Sequence, residues 1–426
     1  MSLSTDLPLH QQAMSLQHDS LVDVLANTDN LLIIQDLDGV CMGLVNDPLN
    51  RVIETDYVMA ARSLDGHFYV LTNGEHIGQR GVNRIIERAF GDAEQVKAEG
   101  LYLPGLAAGG VQWQDRFGQV SHPGVSKAEL AFLAAVPGKI RDRLQAFFTR
   151  LPDLLDDGTL AHCIDASALD NVASPTANLN TLHKTMGHHS ESFAVLQKDM
   201  QALMDDLMAE AAAKGLADSF FVHYAPNLGR GADGKEVIWL SDGSASGTTD
   251  FQFMLRGAVK EAGVLSLLNR YISQRTGTYP LGQDFNARRA PRDLSTLLQL
   301  VKDHFDPATM PTIVAVGDTV TSQMIEAEGE LVAKRGGSDR NFLTLVQAIG
   351  NAFNSGNIVV YVDSSGGELK NRKAIKLETI NGQAQAIEGP CDPRDTTDPL
   401  TLNVVIPGGY QQYCQLFQTA AERRSG

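Results

Sequence analysis

The sequence has no run of apolar residues long enough to cross a membrane. No segment approaches the roughly 18–20 consecutive apolar residues of a membrane-spanning helix. Residues 1–19 are polar and contain no apolar core of the kind that secretory signal peptides carry. We therefore expect a cytoplasmic protein that does not act at a membrane.

Cysteine is also scarce. The four cysteines, Cys41, Cys163, Cys391 and Cys414, are far apart and form no CxxC pair. Paired, closely spaced cysteines are typical of zinc ribbons and disulfide-stapled domains, so neither class is expected. We expect reduced thiols that are mostly buried.

Basic residues are outnumbered. The chain has 35 Lys and Arg against 51 Asp and Glu, which gives a formal net charge of −16. Such a surface repels nucleic-acid backbones and anionic lipid headgroups, so neither is expected as a partner. A small phosphorylated substrate remains possible, because a bound metal ion can invert the local field.

The length and composition favour a large globular protein with more than one folding unit. The chain has 426 residues, of which 43% are hydrophobic. Single hydrophobic cores stop growing at roughly 250–300 residues. The chain therefore contains two domains, or one domain with a large insertion.

Four short apolar runs, at residues 31–34, 68–71, 312–316 and 358–362, have the character of buried strands. Each is followed by Asp, Ser or Thr near a glycine. A helical pattern over about 50–63 joins the first two runs and predicts a β-α-β unit, hence a parallel sheet. Ligands bind at the carboxyl ends of such strands, so we expect the chemistry there.

The middle of the chain, about residues 125–249, follows a different pattern. Two amphipathic helices are predicted over 126–151 and 190–214, and two strands over 219–224 and 236–240. Helices and strands that do not alternate regularly are typical of an α+β domain. This segment therefore reads as an insertion between two halves of the α/β domain.

Asp36 and Asp38 carry the strongest chemical signal. They lie two residues apart after an apolar strand, so both carboxylates can face one cleft. Two close carboxylates repel each other unless a cation or a proton intervenes, and Mg²⁺ prefers such oxygen ligands. A pair of turn aspartates capping the next helix is the alternative. Thr72 and Asp318 at matching strand ends favour a catalytic site instead.

These motifs resemble those of the haloacid-dehalogenase-like phosphohydrolases. The first motif of that superfamily, DxDG followed by Thr or Val, is matched by Asp-Leu-Asp-Gly-Val at 36–40, and its second, a strand-terminal Ser or Thr, by Thr72. Lys260 fits the third, a helical lysine, with Lys235 as a lower-ranked rival, and Asp318 in a Gly-Asp pair fits the fourth.

Longer strings are similar to the glucosylglycerol-phosphate phosphatase family. They are QDLDGVCM (35–42), FYVLTNGEH (68–76), EGLYLPGLAAGGVQWQD (99–115), DNVASPTANLN (170–180), FFVHYAPNLGR (220–230), GTTDFQFMLRG (247–257) and VGDTVTSQ (316–323). The resemblance implies Mg²⁺-dependent hydrolysis of 2-O-(α-D-glucosyl)-sn-glycerol 3-phosphate to the compatible solute glucosylglycerol. It implies a doubly wound, Rossmann-like α/β core at 1–118 and 252–426, with an inserted α+β cap domain at 119–251.

The resemblance also implies roles for individual residues. Asp36 is the nucleophile that forms an aspartyl-phosphate, Asp38 is the general acid and base, and Thr72 and Lys260 bind the phosphate. Mg²⁺ is held by Asp36, Asp38 and Asp318. Many members place a further Asp four residues after the Gly-Asp pair, where this chain has Ser322, so we expect Asp339 to help instead.

The sequence gives weaker evidence on the residues that bind the substrate, and three alternative functions stay open. Asn73, Glu75 and His76 follow Thr72 and offer mixed donors and acceptors to a sugar. The alternatives are a phosphatase of another sugar phosphate such as sucrose or trehalose phosphate, a catalytically impaired sugar-phosphate-binding regulator, and a phosphotransferase. An association with the synthase that makes glucosylglycerol phosphate is plausible for consecutive enzymes.

Other candidate sites are weaker. Residues 229–234 fit GxGxxG, but a strand rather than a helix is expected next, which favours a hairpin turn over a nucleotide site. The loop histidines His183, His188 and His189 have no acidic or cysteine partner at metal-binding spacing. We expect His223 to lie in the core or at the hinge of the inserted domain rather than to bind a ligand. Trp113 and Trp239 either pack or form platforms for a sugar, and Asp363, Ser364 and Ser365 form a turn or line the edge of the cleft.

Overall fold

The protein is described by a computed structural model that covers residues 7–45, 48–187, 189–230, 235–242, 245–257, 259–327, 330–368, 372–390 and 398–425. It divides into two units. The first comprises Met1–His76, Arg80–Gly124 and Ala258–Gly426, and the second comprises Ile77–Gln79 and Val125–Gly257.

Helices and strands alternate in the first unit and are grouped in the second. The helices are α1 His18–Asn27, α2 Thr55–Ser63, α3 Val82–Phe90, α4 Ala93–Ala98, α5 Lys127–Thr149, α6 Asp157–Ser167, α7 Asn180–Met186, α8 Ser190–Ala213, α9 Lys260–Thr276, α10 Leu294–His304, α11 Arg340–Phe353 and α12 Gly409–Ser425. The strands are β1 Leu31–Gln35, β2 Phe68–Leu71, β3 Gly105–Ala107, β4 Gln112–Gln114, β5 Val120–Ser121, β6 Ala168–Leu169, β7 Thr176–Asn178, β8 Phe220–Ala225, β9 Asn227–Arg230, β10 Glu236–Ile238, β11 Asp250–Leu255, β12 Thr312–Gly317, β13 Thr321–Ala327, β14 Glu330–Gly336, β15 Ile358–Val362, β16 Lys376–Ile380, β17 Gln383–Glu388 and β18 Val404–Ile406.

The first unit is built on one large sheet with the strand order β18-β15-β12-β1-β2-β3-β4-β5. The pairs from β18 to β3 are parallel, and β4 and β5 add antiparallel strands at one edge. The chain builds outward from β1 in one direction and from β12 in the other. This order confirms the doubly wound, Rossmann-like α/β fold expected from the sequence.

Both faces of this sheet are covered, which explains why its strands are continuously apolar. Leu31 and Ile33 point into a core formed with α1, α2, α3 and α12. Leu32 and Ile34 point into a second core formed with α9, α10 and α11. Successive side chains of β1 therefore point into two different cores, which fixes the register of this central strand.

All four strands expected from apolar runs are present, but the helix expected at 50–63 begins later. Residues Pro48–Asn50 form a short 3-10 turn, and α2 starts at Thr55. The carbonyls of Leu49 and Arg51 accept hydrogen bonds from the Arg88 guanidinium, at 2.8 and 3.1 Å, instead of from helical amides. A side chain 37 residues further along the chain therefore overrides the local helical pattern.

The second unit has an antiparallel sheet with the order β6-β7-β11-β8 and the long helices α5 and α8. Helix α5 begins with a capping box in which Ser126 and Glu129 exchange hydrogen bonds. The Phe132 ring of α5 stacks on Phe220 of β8, with 5.2 Å between centroids. An α+β arrangement is thus confirmed for the inserted segment.

The unit boundaries differ by six residues from those expected at 119 and 251. Strand β5 pairs with β4 and so extends the first unit to Gly124. Strand β11 pairs with β8 along its whole length, Asp250–Leu255, so the second unit continues to Gly257. Strand pairing, which the composition of these segments does not reveal, sets both boundaries. No helix within the described residues is long and apolar enough to cross a membrane.

Candidate active site

The candidate site lies at the carboxyl ends of β1, β2 and β12, where the strand order of the sheet reverses. Asp36 directly follows β1, Thr72 follows β2 and Asp318 follows β12. The amide of Asp36 donates to the carbonyl of Val316 at 3.0 Å, which continues the parallel pairing up to the site. Crevices at such reversals are the usual ligand sites of open α/β sheets.

Lys260 links two of the carboxylates. Its Nζ lies 2.6 Å from Asp36 Oδ2 and 2.6 Å from Asp339 Oδ1, and all three side chains are buried. Lys260 is the first residue of α9, and Asp339 immediately precedes α11. Burial alone would lower the pKa of Lys260, but the charges of Asp339 and Asp36 outweigh burial and raise it, so the ammonium group stays charged.

Asp339 also holds the chain that carries Asp318. Its Oδ2 accepts hydrogen bonds from the backbone amides of Asp318, at 2.9 Å, and Thr319, at 3.0 Å. The Thr319 hydroxyl in turn donates to Asp318 Oδ1 at 2.8 Å. Asp318 is thereby oriented with its Oδ2 atom buried and without a hydrogen-bond partner among the described residues.

Three carboxylates converge on a space that suits a divalent cation. Asp36, Asp318 and Asp339 each offer an oxygen, and these oxygens lie within 4.8 Å of one another. Burial raises the pKa of Asp36 to about 6 against the pull of Lys260. Burial, reinforced by Asp339 and Asp36, raises the pKa of Asp318 to about 8. Asp318 Oδ2 has no hydrogen bond among the described residues, and the three carboxylates repel one another. A hard cation such as Mg²⁺ relieves both.

Gly39 allows the turn after β1 to approach this group. Its φ is +80°, and a Cβ at this position would lie 2.2 Å from Asp318 Oδ2. Only glycine combines that conformation with that close approach. The glycine of the DxDG motif therefore keeps space open beside the carboxylates.

Asp38 is not part of the three-carboxylate group, so a role of its side chain as a metal ligand stays a prediction that this arrangement does not favour. Its Oδ1 lies 3.0 Å from Nε of Arg51. Burial raises the pKa of Asp38, while Arg51 and Lys260 lower it. Asp38 is thus paired with the guanidinium of Arg51 and not with the other three carboxylates. Its raised pKa suits proton transfer.

Thr72 and Asp38 face the same small volume. A Cβ built on Gly74 would lie 3.7 Å from Thr72 Oγ1 and 3.8 Å from Asp38 Oδ2. The Thr72 hydroxyl is buried and accepts a hydrogen bond from the Gly74 amide at 3.2 Å, which leaves its proton for another acceptor. Asn73 is exposed beside it. Thr72 and Asp38 thus both border the space beside Gly74.

Comparison with known proteins agrees with this geometry. A model of the glucosylglycerol-phosphate phosphatase family matches residues 30–421. The chain is also 60% identical, over 98% of its own length and 98% of the relative's, to a glucosylglycerol-phosphate phosphatase from Synechocystis sp.. The chain belongs to the glucosylglycerol-phosphate phosphatase family. The resemblance inferred from its sequence strings is confirmed, as is the expectation of a phosphoric monoester hydrolase at the level of the family.

Solved structures of low identity were also found. The C-terminal domain of trehalose-6-phosphate phosphatase from C. albicans is 10% identical with a TM-score of 0.41, covering 96% of this chain and 98% of that one. The trehalose-6-phosphate phosphatase of Aspergillus fumigatus is 8% identical with a TM-score of 0.36, covering 97% and 100%. The doubly wound fold of this family member rests on its own strand order.

Two of the three expected substrate residues are buried in this member of the family. Glu75 accepts a hydrogen bond from Gln112 Nε2 at 3.4 Å. His76 is completely buried, its amide donates to Gln112 Oε1 at 2.7 Å, and its Nε2 lies 3.2 Å from the carbonyl of Gly105. Burial lowers the pKa of His76 to about 4, so it is neutral. These contacts favour a role of both residues in holding the loop after β2. Direct contact of His76 with a sugar stays a prediction, and the burial of His76 argues against it.

The rival residues have partners of their own within the second unit. Lys235 pairs with Asp205 at 3.0 Å on an exposed surface of the second unit, so Lys260 alone of the two lysines meets Asp36. His183 packs on Phe193, His223 pairs with Glu236, and His188 and residues 231–234 lie outside the described residues. A strand, β10, follows the glycine-rich stretch, as expected. Ser322 is the second residue of β13, and its side chain is not described.

The tryptophans and the turn after β15 are also placed. Trp113 packs under Arg270, at 3.8 Å from the guanidinium to the ring centroid, and Trp239 is partly exposed. Asp363 accepts hydrogen bonds from the amides of Ser365 and Ile375, so it forms a turn. Asp363, Ser364 and Ser365 also line a cavity of about 540 Å³ that reaches Gly39. The expected turn is confirmed, and a place at the edge of the catalytic cleft stays a prediction.

Two arginines at the site were missed. Arg51 pairs with Asp38, and Arg372 Nη2 lies 3.2 Å from Thr319 Oγ1 with its Nε 4.0 Å from Asp318 Oδ2. Neither belongs to a sequence motif. Arg51 lies in the irregular segment between β1 and α2, and Arg372 lies in the segment between β15 and β16. Only the folded loops bring these positive charges to the carboxylates.

Proposed function

We propose that this chain hydrolyses 2-O-(α-D-glucosyl)-sn-glycerol 3-phosphate to glucosylglycerol and phosphate in a Mg²⁺-dependent reaction. The family match and the 60% identical relative support the substrate. The observation that carries the chemistry is the group of Asp36, Asp318 and Asp339 with Lys260 bonded to the first and last of them.

The metal ion would be held by Asp36, Asp318 and Asp339, whose oxygens have the hardness that Mg²⁺ prefers. Bound there, Mg²⁺ supplies positive charge that neutralises the phosphoryl oxygens. Lys260 adds a second positive charge next to Asp36, and Thr72 donates its hydroxyl proton to a phosphate oxygen. Phosphoryl transfer depends mainly on such positioning and neutralisation.

Two carboxylates divide the covalent and the proton-transfer steps. Asp36 attacks phosphorus, the bond from phosphorus to the glycerol oxygen breaks, and an aspartyl-phosphate forms. Asp38 gives its proton to that leaving oxygen. Asp38 then takes a proton from water, which hydrolyses the aspartyl-phosphate and frees Asp36. The raised pKa of Asp38 supports both proton transfers.

The test is phosphate release from four substrates with and without Mg²⁺. They are glucosylglycerol 3-phosphate, sucrose 6-phosphate, trehalose 6-phosphate and glycerol 3-phosphate, with Asp36→Asn as the blank. Mg²⁺-dependent release from the first alone supports the whole proposal. Release from another sugar phosphate keeps the chemistry and replaces the substrate. Release that survives in Asp36→Asn removes the nucleophile assignment.

Absence of phosphate release from every substrate would favour a sugar-phosphate-binding regulator. New phosphoesters formed with added alcohols would favour a phosphotransferase. The cap role of the second unit, the cytoplasmic location and an association with the synthase stay predictions. Co-purification of the two tagged enzymes at physiological salt would test that association.

A further inference from the structure

Arg372 brings a guanidinium group to the carboxylate of Asp318. It lies in the segment between β15 and β16, and its side chain is only 17% exposed. Its Nη2 donates to Thr319 Oγ1 at 3.2 Å, and the Thr319 hydroxyl donates to Asp318 Oδ1 at 2.8 Å. Three residues later, the amide of Ile375 donates to Asp363 Oδ2 at 2.7 Å, which ties the segment to the end of β15. The guanidinium is therefore held in place next to Asp318.

One donor of this guanidinium is buried without an acceptor. Nε lies 4.0 Å from Asp318 Oδ2, which is within ion-pair range but too long for a hydrogen bond. It makes no hydrogen bond to any residue that the structure describes. A buried N–H group without an acceptor costs stability, so we expect water or a ligand oxygen to bind there. Lys260 differs in this respect, because its Nζ already bonds two carboxylates at 2.6 Å.

A phosphoryl oxygen is the acceptor that suits this donor best. Arginine presents its donors in a planar fork that matches phosphate, and its hydrogen bonds to anionic oxygens are among the stronger ones. We propose that Arg372 is a phosphate-binding residue whose Nε donates to a phosphoryl oxygen of the substrate and of the inorganic phosphate product. This inference rests on the proposed function, in which the phosphoryl group lies beside Asp36, Asp318 and Asp339.

The same positive charge opposes the binding of a metal ion. Asp318 is one of the three residues proposed to hold Mg²⁺, and a guanidinium 4.0 Å from its Oδ2 repels a second cation there. Arg372 therefore favours the phosphate anion and disfavours the metal ion. Replacing it with a neutral residue should shift the two affinities in opposite directions. A loosened loop would instead weaken the binding of both ligands, so opposite shifts distinguish ligand binding from a structural role.

Urea denaturation measures both affinities without turnover, because a ligand that binds only the folded state raises the free energy of unfolding according to its dissociation constant. Mg²⁺ is titrated alone, and inorganic phosphate is titrated at saturating Mg²⁺, both at constant ionic strength. In Arg372→Met the dissociation constant of phosphate should rise at least about tenfold, since a hydrogen bond between charged groups is lost. That of Mg²⁺ should fall about threefold or more, since one nearby positive charge is removed.

Two further variants and a control isolate the charge. Arg372→Gln removes the charge but keeps a donor for Thr319, so it should shift both constants as Arg372→Met does, and it decides the matter if Arg372→Met does not fold. Arg372→Lys keeps a charge and should retain part of the phosphate affinity. Arg84→Met removes an arginine from an exposed pair with Glu87 and should change neither constant. Each chain is compared with itself, so a lower starting stability does not alter the result.

Unaltered phosphate affinity in the neutral variants would overturn the proposal, and with tighter Mg²⁺ binding it would leave Arg372 as a counter-ion of Asp318. Weaker binding of both ligands would refute it in favour of a structural role. Phosphate release from glucosylglycerol 3-phosphate by the wild-type chain, followed in parallel, tests the proposed function separately. Opposite shifts without such release would reject the substrate and keep the phosphate site. A wild-type chain that neither ligand stabilises would overturn both proposals.

Discussion

Replacing Lys260 with methionine should destabilise the metal-free protein strongly. The substitution keeps an unbranched side chain that is one atom shorter but removes two hydrogen bonds of 2.6 Å, to Asp36 and Asp339, in a buried site. Hydrogen bonds to charged groups contribute about 1.5–3 kcal/mol each, so the loss is about 3–6 kcal/mol. Removing one partner of a buried ion pair costs about 3–5 kcal/mol, which agrees.

Mg²⁺ should recover much of this loss. Without the ammonium group, the three carboxylates keep their mutual repulsion and must either bind protons or a cation. A cation that binds only the folded state stabilises it in proportion to its affinity. The increase in stability on adding Mg²⁺ should therefore be larger in Lys260→Met than in the wild-type chain.

The assay is urea denaturation with and without Mg²⁺, in parallel with phosphate release. Lys235→Met is the matched control, because its Nζ pairs with Asp205 on an exposed surface where such pairs contribute about 0–1 kcal/mol. Lys260→Met should lose turnover and Lys235→Met should retain it. A loss of stability below about 1 kcal/mol in Lys260→Met, or equal effects of the two variants, would refute the reasoning.

Three further predictions use the same constellation and its supports. Gly39→Ala should lose Mg²⁺-dependent turnover, whereas Gly66→Ala, which has a similar positive φ but nothing within 4 Å, should lose only about 1–2 kcal/mol of stability; equal turnover in the two variants would contradict the crowding argument. Gly263→Ala should reduce kcat, because its Cβ would lie 2.5 Å from Leu71 Cδ1. The control Gly138→Ala lies at an open position in a helix, so its free energy of unfolding in urea should rise by up to about 1 kcal/mol. Unchanged turnover in Gly263→Ala would show that α9 adjusts freely. The pKa of His76 is about 4 in the folded protein and 6.5 ordinarily, so its contribution to stability is complete above pH 6.5 and is lost as the pH falls through 4. In His76→Gln the free energy of unfolding should therefore fall by about 3 kcal/mol less than in the wild-type chain over this pH range. Parallel plots of stability against pH for the two proteins would refute this.

Local patterns were sufficient for the residues that follow strands. Asp36, Thr72 and Asp318 could be found because an apolar strand ends beside each, and parallel strands bring their carboxyl ends to one edge. Lys260 and Asp339 lie at helix starts far along the chain, with no pattern of their own that predicts their partners. The family resemblance supplied Lys260, and the missing carboxylate at Ser322 suggested Asp339.

Arg51 shows why the other residues of the site could not be predicted from the sequence. Its segment has a helical pattern, and a helix there would place its side chain according to a regular period. Arg88 instead binds two carbonyls of the segment and keeps it irregular. The contact with Asp38 therefore depends on a tertiary hydrogen bond that sequence periodicity does not register.

The placement of Lys260 follows from helix packing against the sheet. Helix α9 packs on the core that contains Ile34 of β1 and Leu71 of β2, so its first turn meets the ends of those strands. Gly263 permits this approach, because any larger side chain would overlap Leu71. Lys260 lies one turn earlier on α9 and so reaches Asp36, at the end of the neighbouring strand. A small residue in a helix thus sets a distance at the site that no catalytic motif encodes.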